Sequence, residues 1–386
     1  MRKTSRDFQI FVKPAGPVCN LDCNYCYYLK KDQLYPQKKS FRMPDIILEE
    51  YIVQHIEACS EPEIRFSWHG GEPTILGLDY FSKIISLQRK HQPQGKRILN
   101  GMQTNGTLLD ENWGRFLADN DFFVGISLDG PKEIHNRYRV DKKQNPTFDL
   151  TMRGYELLQK HGVSTDILCV VNNFNAQYPS KVYGFFKEIN ASYVSFLPMA
   201  ERDPDSASGA NDLSVTADLW GDFLCSIFDE WVNCDIGLIK IQIFEEAART
   251  AFGQEHSLCI FRPVCGDIPV IEHNGDFYSC DHFVDEDHYL GNIIETHLVD
   301  LLESQDQRAF GEAKLKNLPR ICRECEVRSM CNGGCPKNRF IYTPDGDPGL
   351  NYLCAGYKRF FKHCRPFVNA VAIEWKKQNS NQKKKV

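Results

Sequence analysis

Three cysteines near the start of the chain have the type and spacing to hold an iron–sulfur cluster with one open position. Cys19, Cys23 and Cys26 form the pattern C-x3-C-x2-C, with Tyr25 just before the last thiol. A fully ligated [4Fe-4S] cluster is held by four cysteine thiolates. Three thiolates leave the fourth iron without a protein ligand, so that iron is available to a small molecule. Zinc would need a fourth ligand, and no histidine lies close by in the sequence to supply it.

This trio resembles that of the radical S-adenosylmethionine (SAM) enzymes, and Gly70-Gly71-Glu72-Pro73 resembles a second motif of that family. The resemblance implies that SAM binds the open iron and is cleaved to a 5′-deoxyadenosyl radical. It also implies a group of SAM-binding residues, namely Tyr25, Gly71, Ser127, Arg139 and Leu197. Because an arginine fork suits a carboxylate, Arg137 competes with Arg139 for the SAM carboxylate.

Eight further cysteines lie in the second half of the chain at spacings that suit iron–sulfur ligands. They are Cys259, Cys265, Cys280, Cys322, Cys325, Cys331, Cys335 and Cys354. Their gaps resemble the SPASM extension of peptide-modifying radical SAM enzymes. The resemblance implies two fully ligated auxiliary [4Fe-4S] clusters that transfer electrons, and therefore three clusters with the first one. A pair of zinc ribbons is the alternative.

The resemblance also implies which thiols share a cluster, because the family interleaves its ligands. The first auxiliary cluster would take Cys259, Cys265, Cys280 and Cys335. The second would take Cys322, Cys325, Cys331 and Cys354.

Asp281 directly follows one of these cysteines, so its carboxylate is expected beside a metal centre. A free aspartate has a pKa of about 3.9, is ionised at neutral pH and can accept a proton. The alternative is an aspartate that faces solvent or binds backbone amides in a turn. We expect that structural role for Asp276, which follows Asn274-Gly275. Asp281 is therefore the candidate general base.

Several short sequences narrow the resemblance to the anaerobic sulfatase-maturating enzymes. They are Tyr27-Tyr28-Leu29, Gln103-Thr104-Asn105-Gly106, Cys280-Asp281-His282-Phe283 and Gly349-Leu350-Asn351-Tyr352-Leu353-Cys354. The resemblance implies oxidation of a sulfatase Cys or Ser to Cα-formylglycine without oxygen. The radical would take a hydrogen atom from Cβ, Asp281 a proton, and an auxiliary cluster an electron. The expected partners are an unfolded or nascent sulfatase segment of Cys/Ser-x-Pro-x-Arg type and an electron donor such as flavodoxin or ferredoxin.

Two other functions fit parts of the pattern. A different SPASM-type peptide-modifying enzyme would form thioether or carbon–carbon cross-links. Such enzymes often carry a leader-binding domain, which we do not expect here because the cysteine trio begins near the N-terminus. A non-catalytic iron–sulfur or zinc scaffold is the second alternative, although the open iron argues against it.

The elements that must position these residues alternate between strand and helix in the first half of the chain. Apolar runs predict strands at Phe8–Val12, Ile64–Trp68, Arg97–Gln103, Phe122–Ser127, Thr165–Val171 and Tyr193–Leu197. Segments with helical periodicity separate them. The pattern predicts an α/β fold with a parallel sheet, and the resemblance makes it a partial (β/α)6 radical SAM barrel with a C-terminal cysteine-rich SPASM domain. Functional residues of such sheets collect at the carboxyl ends of strands, where the trio lies.

The sequence pattern changes after about Asp235, where strands become short, helices sparse and cysteines dense. We therefore predict a radical SAM domain over residues 1–235, a SPASM domain over 236–370 and a disordered basic tail over 371–386.

Composition excludes several classes of partner. The net charge of the 386 residues is −5, so no large basic surface is expected and nucleic acid is not a predicted partner. The sequence has no run of about twenty apolar residues and no signal peptide, so no membrane partner is expected. Many thiols without a secretion signal indicate metal binding in the cytoplasm.

Overall fold

A computed structural model describes residues 2–36 and 40–383 of the chain. Two compact units share these residues. The first comprises Met1–Leu128, Lys132–Leu168 and Gly266–Gly311, and the second comprises Asp129–Pro131, Cys169–Cys265 and Glu312–Val386. The domain boundary that we predict at residues 235 and 236 rests on motifs and stays a prediction. The compact units are divided differently, because residues 266–311 group with the first half of the chain.

The strands and helices follow one another in a mixed order. The strands are β1 (Phe11–Lys13), β2 (Glu63–Trp68), β3 (Arg97–Thr104), β4 (Phe122–Ser127), β5 (Ser164–Val171), β6 (Tyr193–Pro198), β7 (Lys240–Ile241), β8 (Val270–Glu272), β9 (Asp276–Tyr278), β10 (Tyr289–Asn292), β11 (Ile341–Tyr342) and β12 (Pro348–Leu350). The helices are α1 (Asp45–Ala58), α2 (Gly77–His91), α3 (Glu111–Asp119), α4 (Lys132–His135), α5 (Phe148–Lys160), α6 (Pro179–Glu188), α7 (Ala217–Cys234), α8 (Gln242–Ala251), α9 (Leu298–Leu302), α10 (Gln305–Lys316), α11 (Arg320–Arg323), α12 (Arg328–Cys331) and α13 (Cys354–Lys383).

The six strands that the sequence predicts are present, each within a few residues of its expected bounds. In the first unit β1, β2, β3, β4 and β5 pair in that order, and every pair is parallel. The α/β class with a mostly parallel sheet is therefore confirmed. A crossover helix between consecutive strands is the connection that parallel pairing requires.

A pairing that the sequence does not predict brings residues from the second half of the chain to β1. Strand β8 pairs in parallel with β1, so that Phe11 lies opposite Val270 and Lys13 opposite Glu272. Strands β9 and β10 continue from β8 in antiparallel pairs. Asp281 follows β9, and this pairing therefore attaches it to the strand that leads into the cysteine trio.

The core of the first unit contains a buried polar group that is fully paired. Trp68 of β2 has no exposed surface. Its indole N–H donates to the side-chain oxygen of Asn100 over 2.9 Å, and the amide of Gln88 donates to the same oxygen over 2.9 Å. Because each buried donor has an acceptor, this polar pair does not weaken the apolar core around it.

The second unit has an aromatic core built by three helices. The ring of Phe228 on α7 lies 5.1 Å from that of Phe244 on α8 and 6.0 Å from that of Phe360 on α13. We predict sparse helices after Asp235, and this is wrong, because α8, α10 and α13 all lie there. The aromatic side chains of α13 recur at helical spacing and bury one face of that helix.

The helix α13 also changes the expectation for the C-terminal tail. Residues 371–383 are helical instead of disordered, and residues 384–386 lie outside the described residues. The ring of Trp375 lies 5.5 Å from that of Phe252, and this contact holds the helix beyond its buried part. Among the described residues, none of the helices combines the length and apolar character needed to span a bilayer.

Candidate active site

The loop that carries the cysteine trio is fixed by main-chain hydrogen bonds to the glycine turn after β2. The amide of Gly71 donates to the carbonyl of Gly16 over 2.8 Å, and that of Glu72 donates to the carbonyl of Val18 over 2.9 Å. A Cβ atom at Gly71 would lie 2.1 Å from the Val18 carbonyl oxygen, so only glycine fits there. These amides are used by the protein, and the hydrogen bonds hold the glycine turn against the loop that carries the trio.

The carboxylate of Glu72 joins the glycine turn to the turn after β3. It is 1% exposed and accepts hydrogen bonds from the hydroxyls of Thr74 and Thr104 and from the amide of Asn105, over 2.6 to 2.7 Å. Burial raises the pKa of Glu72 above its usual range, and the hydrogen bonds only partly oppose this shift. The turn at residues 104–106, expected at the carboxyl end of β3, is thereby held against the turn that supports the trio.

The trio is also held from the opposite side by the segment after α4. The amide of Asp22 donates to the carbonyl of Val140 over 2.8 Å, and that of Asn24 donates to the carbonyl of Tyr138 over 3.0 Å. With both flanks bound, the loop between Cys19 and Cys26 has a defined shape.

Arg139 and Arg137, the two candidates for the SAM carboxylate, both lie in this segment but differ in burial. Arg139 is 6% exposed, and its guanidinium carbon lies 5.5 Å from the ring centre of Tyr25. Arg137 is exposed, and its guanidinium carbon lies 5.8 Å from the ring centre of Tyr138. The buried Arg139 is therefore the arginine beside the cysteine loop.

The thiols of the trio lie close enough to influence one another. The pKa of Cys19 is raised to about 12, mainly by burial and then by the negative charges of Glu72, Cys23 and Cys26. The side-chain amide of Asn105 lies 3.8 Å from the sulfur of Cys19. A thiolate in this place therefore needs a cation such as iron beside it, which fits the donor set of an iron–sulfur cluster.

Two further SAM-contact candidates lie at strand ends. Ser127 ends β4, and its hydroxyl accepts a hydrogen bond of 3.1 Å from the amide of Gln103. A Cβ atom at Gly125 would lie 2.1 Å from the side-chain oxygen of Gln103, so glycine makes room for that side chain. Leu197 lies on β6 in the second unit and is 36% exposed.

Asp281 makes two contacts in the first unit that fix its carboxylate. The ammonium of Lys13 lies 2.5 Å from Oδ1, and the hydroxyl of Tyr27 donates to Oδ2 over 2.6 Å. Burial alone raises the pKa of Asp281, but the charges of Lys13 and His282 and the two hydrogen bonds outweigh it, so the pKa lies below its usual range. Asp276 instead accepts hydrogen bonds from the side-chain amides of Asn274 and Asn292, so its role is structural, but its partners are side chains and not the backbone amides of a turn.

A second buried carboxylate, that of Glu272, is linked to Asp281 through Tyr28 and Lys13. The hydroxyl of Tyr28 donates to Glu272, which has no exposed surface. The ammonium of Lys13 lies 4.4 Å from the ring centre of the same tyrosine. Lys13 is thus held between the face of Tyr28 and the carboxylate of Asp281.

The cysteines of the second unit form two electrostatic groups. In the first, Cys259 interacts with Cys335 and Cys265, and its pKa is raised to about 12, mainly by burial. In the second, Cys331 interacts with Cys354, Cys322 and Cys325, and its pKa is also raised to about 12 by burial and these neighbours. Cys280 belongs to the first unit, next to Asp281. The assignment of each cysteine, Cys280 included, to one of the two auxiliary clusters stays a prediction.

The described residues 2–36 and 40–383 contain no group of three or more Cys, His, Asp or Glu side chains that is placed to hold a metal ion. A cubane cluster spreads its thiolate ligands over several irons, so its ligands are spaced more widely than those of one ion.

Sequence reasoning did not single out Lys13, Tyr27, Glu72 or Glu272 as site residues. A lysine at the end of a buried strand is the one signal that the sequence offers, because a buried ammonium requires a partner. That partner, Asp281, is distant in the sequence. Tyr27, Glu72 and Glu272 lie in or beside recognised motifs, but their contacts depend on which turns and strands meet.

Two family models match the chain. Residues 14–186 match the radical SAM superfamily, and residues 264–326 match SPASM, an iron–sulfur cluster-binding domain. The first match begins directly after Lys13, and the second includes Asp281.

Two relatives match over nearly all of the chain. The serine-type anaerobic sulfatase-maturating enzyme of Bacteroides thetaiotaomicron is 43% identical over 97% of this chain and 94% of its own length. The cysteine-type anaerobic sulfatase-maturating enzyme of Clostridium perfringens (strain 13 / Type A) is 34% identical over 94% of this chain and 98% of its own length.

Solved structures agree with these relatives. Native anSMEcpe with bound AdoMet and Cp18Cys peptide has a TM-score of 0.86 and 33% identity, and the match covers 96% of this chain and 99% of that chain. Streptococcus suis SuiB bound to S-adenosylmethionine has a TM-score of 0.59 and 15% identity, over 91% of this chain and 75% of that chain, so its likeness concerns the fold alone. The fold is thus that of a radical SAM partial barrel with a SPASM extension. The chain belongs to the family of anaerobic sulfatase-maturating enzymes.

Proposed function

We propose that this chain oxidises a cysteine or serine side chain of a sulfatase to Cα-formylglycine by SAM-derived radical chemistry and without oxygen. The observation that carries the proposal is the position of Tyr27. Its hydroxyl binds Asp281, and its side chain interacts electrostatically with both Cys26 and Cys280. The candidate base therefore lies near the last thiol of the trio, where the radical would be made.

The residues that would hold the cofactors follow from the site. The trio would bind the first [4Fe-4S] centre, and the eight later cysteines would bind two auxiliary centres. When bound, these centres and SAM supply the deoxyadenosyl radical and accept the electron that the substrate loses. Among the two arginines, the buried Arg139 is the better candidate for the SAM carboxylate, since it lies beside Tyr25.

The remaining proposed SAM contacts lie at the glycine turn and at two strand ends. Carbonyl oxygens at Gly71 would accept from the SAM amino group, because an amino group donates hydrogen bonds and a backbone carbonyl accepts them. Ser127 would bind the ribose or carboxylate side, and its hydroxyl is oriented by Gln103. Leu197 would line the adenine pocket.

Asp281 is the proposed proton acceptor for the thiol or hydroxyl of the substrate. Each carboxylate oxygen can accept more than one hydrogen bond, so Lys13 and Tyr27 leave acceptor capacity for the substrate. The two contacts keep the carboxylate ionised and in one orientation before the substrate arrives. Orientation of this kind is a condition for efficient general base catalysis.

The proposed partners follow the family. The substrate is an unfolded or nascent sulfatase segment of Cys/Ser-x-Pro-x-Arg type, and the reductant is a small electron carrier such as flavodoxin or ferredoxin. We propose the cytoplasm as the place of this reaction, since a nascent chain and a low-potential reductant are both present there.

The test is a peptide assay on the anaerobically reconstituted protein. A matched pair of peptides should differ only in Cys or Ser at the target position. Formylglycine formation is expected to lower the mass by about 18 Da for Cys and by about 2 Da for Ser. The iron content is expected to be about twelve per chain if three clusters bind. A product about 2 Da lighter that carries no aldehyde reactive toward a hydrazine reagent, which indicates a cross-link, or SAM cleavage without any peptide product, would contradict the proposal.

A further inference from the structure

Two cations of the second unit, one buried and one half-buried, have no carboxylate partner among the described residues. Lys314 on α10 is 1% exposed, and its ammonium donates only to main-chain carbonyls, those of Cys259 over 2.6 Å and Ile260 over 3.0 Å. No Asp or Glu oxygen of the described chain lies within 4.0 Å of this ammonium. A buried ammonium without a counter-charge is strongly destabilising, so an anion is expected close by.

Arg339 likewise donates to main-chain carbonyls, and these carbonyls lie in a loop between two of the cysteines. Its Nε donates to the carbonyl of Gly333 over 3.0 Å, and its Nη2 donates to the carbonyls of Asn332 and Gly334 over 2.9 and 3.3 Å. The loop that it binds joins Cys331 to Cys335. Within the described residues, no carboxylate lies within 4.0 Å of this guanidinium either.

The two cations are connected through the backbone. Nη1 of Arg339 donates to the carbonyl of Lys314 over 2.5 Å. The buried Lys314 and the half-buried Arg339 are therefore neighbours, and their main-chain contacts give no charge compensation.

Thiolates supply the negative charge that faces these cations. As anions, Cys259, Cys265 and Cys335 attract Lys314. Cysteines from both proposed ligand groups attract Arg339, namely Cys322 and Cys331 from one and Cys265 and Cys335 from the other. Lys314 thus faces one group, and Arg339 lies near both.

We propose that Lys314 and Arg339 set the reduction potentials of the auxiliary iron–sulfur centres by compensating the charge that a centre gains with an electron. The inference rests on the auxiliary centres of the proposed function. Reduction adds one electron and one negative charge to a centre and needs no proton from either side chain. A fixed positive charge in a buried site stabilises the reduced form, because the local dielectric constant is low. Loss of the charge therefore makes the potential more negative, and the centre becomes a poorer acceptor.

The experiment is a potentiometric titration of the full-length protein, followed by electron paramagnetic resonance. Lys314→Met removes the charge, and Lys314→Arg keeps it. Lys316→Met is the matched control, since Lys316 lies on the same helix but is 70% exposed and paired with Glu312. At a fixed solution potential, the ratio of reduced to oxidised centres is expected to fall at least tenfold in Lys314→Met, which corresponds to about 59 mV for one electron. The ratio is expected to stay within about threefold in the arginine and control variants.

Arg339→Gln adds a positional test. Because Arg339 lies near both ligand groups, the signals of both auxiliary centres are expected to shift, whereas Lys314→Met shifts one of them more than the other. An unchanged ratio in Lys314→Met with full iron content would overturn the inference. So would an equal shift in Lys316→Met.

Loss of iron from the variants would also show whether the positive charge of Lys314 or the shape of its side chain is required. If Lys314→Met loses iron while Lys314→Arg retains it, the positive charge is required and the inference is supported. If both variants lose iron, the shape of the lysine matters and the inference is overturned. If the unsubstituted protein binds only about four irons, the auxiliary centres of the proposed function fail first, and the inference falls with them.

Discussion

The hydroxyl of Tyr27 donates a hydrogen bond of 2.6 Å to Oδ2 of Asp281, although the two residues are 254 positions apart. One tyrosine therefore connects the end of the cysteine trio to the carboxylate after Cys280. The other oxygen of the same carboxylate lies 2.5 Å from Lys13. The base is thus oriented by two residues that flank the trio in the sequence.

Asp281→Asn is expected to abolish formylglycine formation while SAM still binds. The amide keeps the shape of the side chain but cannot take the substrate proton, and removal of a general base typically slows a reaction about 10²- to 10⁴-fold. The rate is measured by peptide mass, and SAM binding by equilibrium dialysis. Asp276→Asn is the control, because the carboxylate of Asp276 binds the side-chain amides of Asn274 and Asn292 instead of Lys13 and Tyr27. Equal turnover of Asp281→Asn and the unsubstituted protein would remove Asp281 from catalysis.

Lys13→Met is expected to lower the amount of formylglycine formed per SAM cleaved. Without the ammonium, Asp281 loses one of the two contacts that fix its carboxylate, and a displaced catalytic group can slow a reaction by roughly 10- to 100-fold. The ratio of peptide product to 5′-deoxyadenosine measures this coupling. Lys13→Arg retains the charge and should restore part of it. The same ratio in both variants would show that the charge of Lys13 does not matter.

Gly71→Ala is expected to displace the cysteine loop and to lower the iron content by about one cluster of four irons. The added Cβ would lie 2.1 Å from the carbonyl oxygen of Val18, which is far inside any allowed contact. Gly184→Ala is the matched control, because no atom lies within 4 Å of the added Cβ in α6. Iron and sulfide analysis after anaerobic reconstitution distinguishes the two. Full iron occupancy in Gly71→Ala would contradict the close packing of turn and loop.

The buried His55 is expected to make the folded protein less stable in acid. Burial lowers the pKa of His55 to about 3, from 6.5. Its ring stacks on Phe66 at 4.4 Å and meets Phe8 edge-on at 5.1 Å. Below about pH 6.5 the unfolded chain binds a proton that the folded chain does not, so the free energy of unfolding falls by up to about 1.4 kcal/mol per pH unit.

The measurement compares the free energy of unfolding by urea of iron-free protein at about pH 7 and about pH 5. At the lower pH, His55 alone is expected to lower that free energy by about 2 kcal/mol. His55→Phe should lose that part of the pH dependence. His363→Phe is the control, since the side chain of His363 is 39% exposed. An identical pH dependence in His55→Phe and the unsubstituted protein would be the contrary result.

The elements of the first half were predictable because local patterns determine them. The strand Phe122–Ser127 has the bounds that its apolar run predicts, and helices separate the strands as the periodicity predicts. The cysteine trio follows β1 at its carboxyl end, as a parallel sheet requires. In these cases hydrophobic period, turn residues and motif spacing agree with one another.

The contacts of the candidate base were not predictable, because they depend on which distant strands pair. The parallel pairing of β8 with β1 places Glu272 opposite Lys13. Strand β8 has only three residues and carries no periodicity that could indicate its partner. The helical tail was missed for a related reason, since the contact of Trp375 with Phe252 is long-range while the Lys-rich composition is local.

The cysteine loop owes its shape to hydrogen bonds that involve no iron. Amides of Gly71 and Glu72 hold one flank, and carbonyls of Tyr138 and Val140 hold the other. A substitution on either flank, distant in the sequence from the thiols, is therefore expected to alter the spacing of the three sulfur atoms as readily as a substitution within the loop.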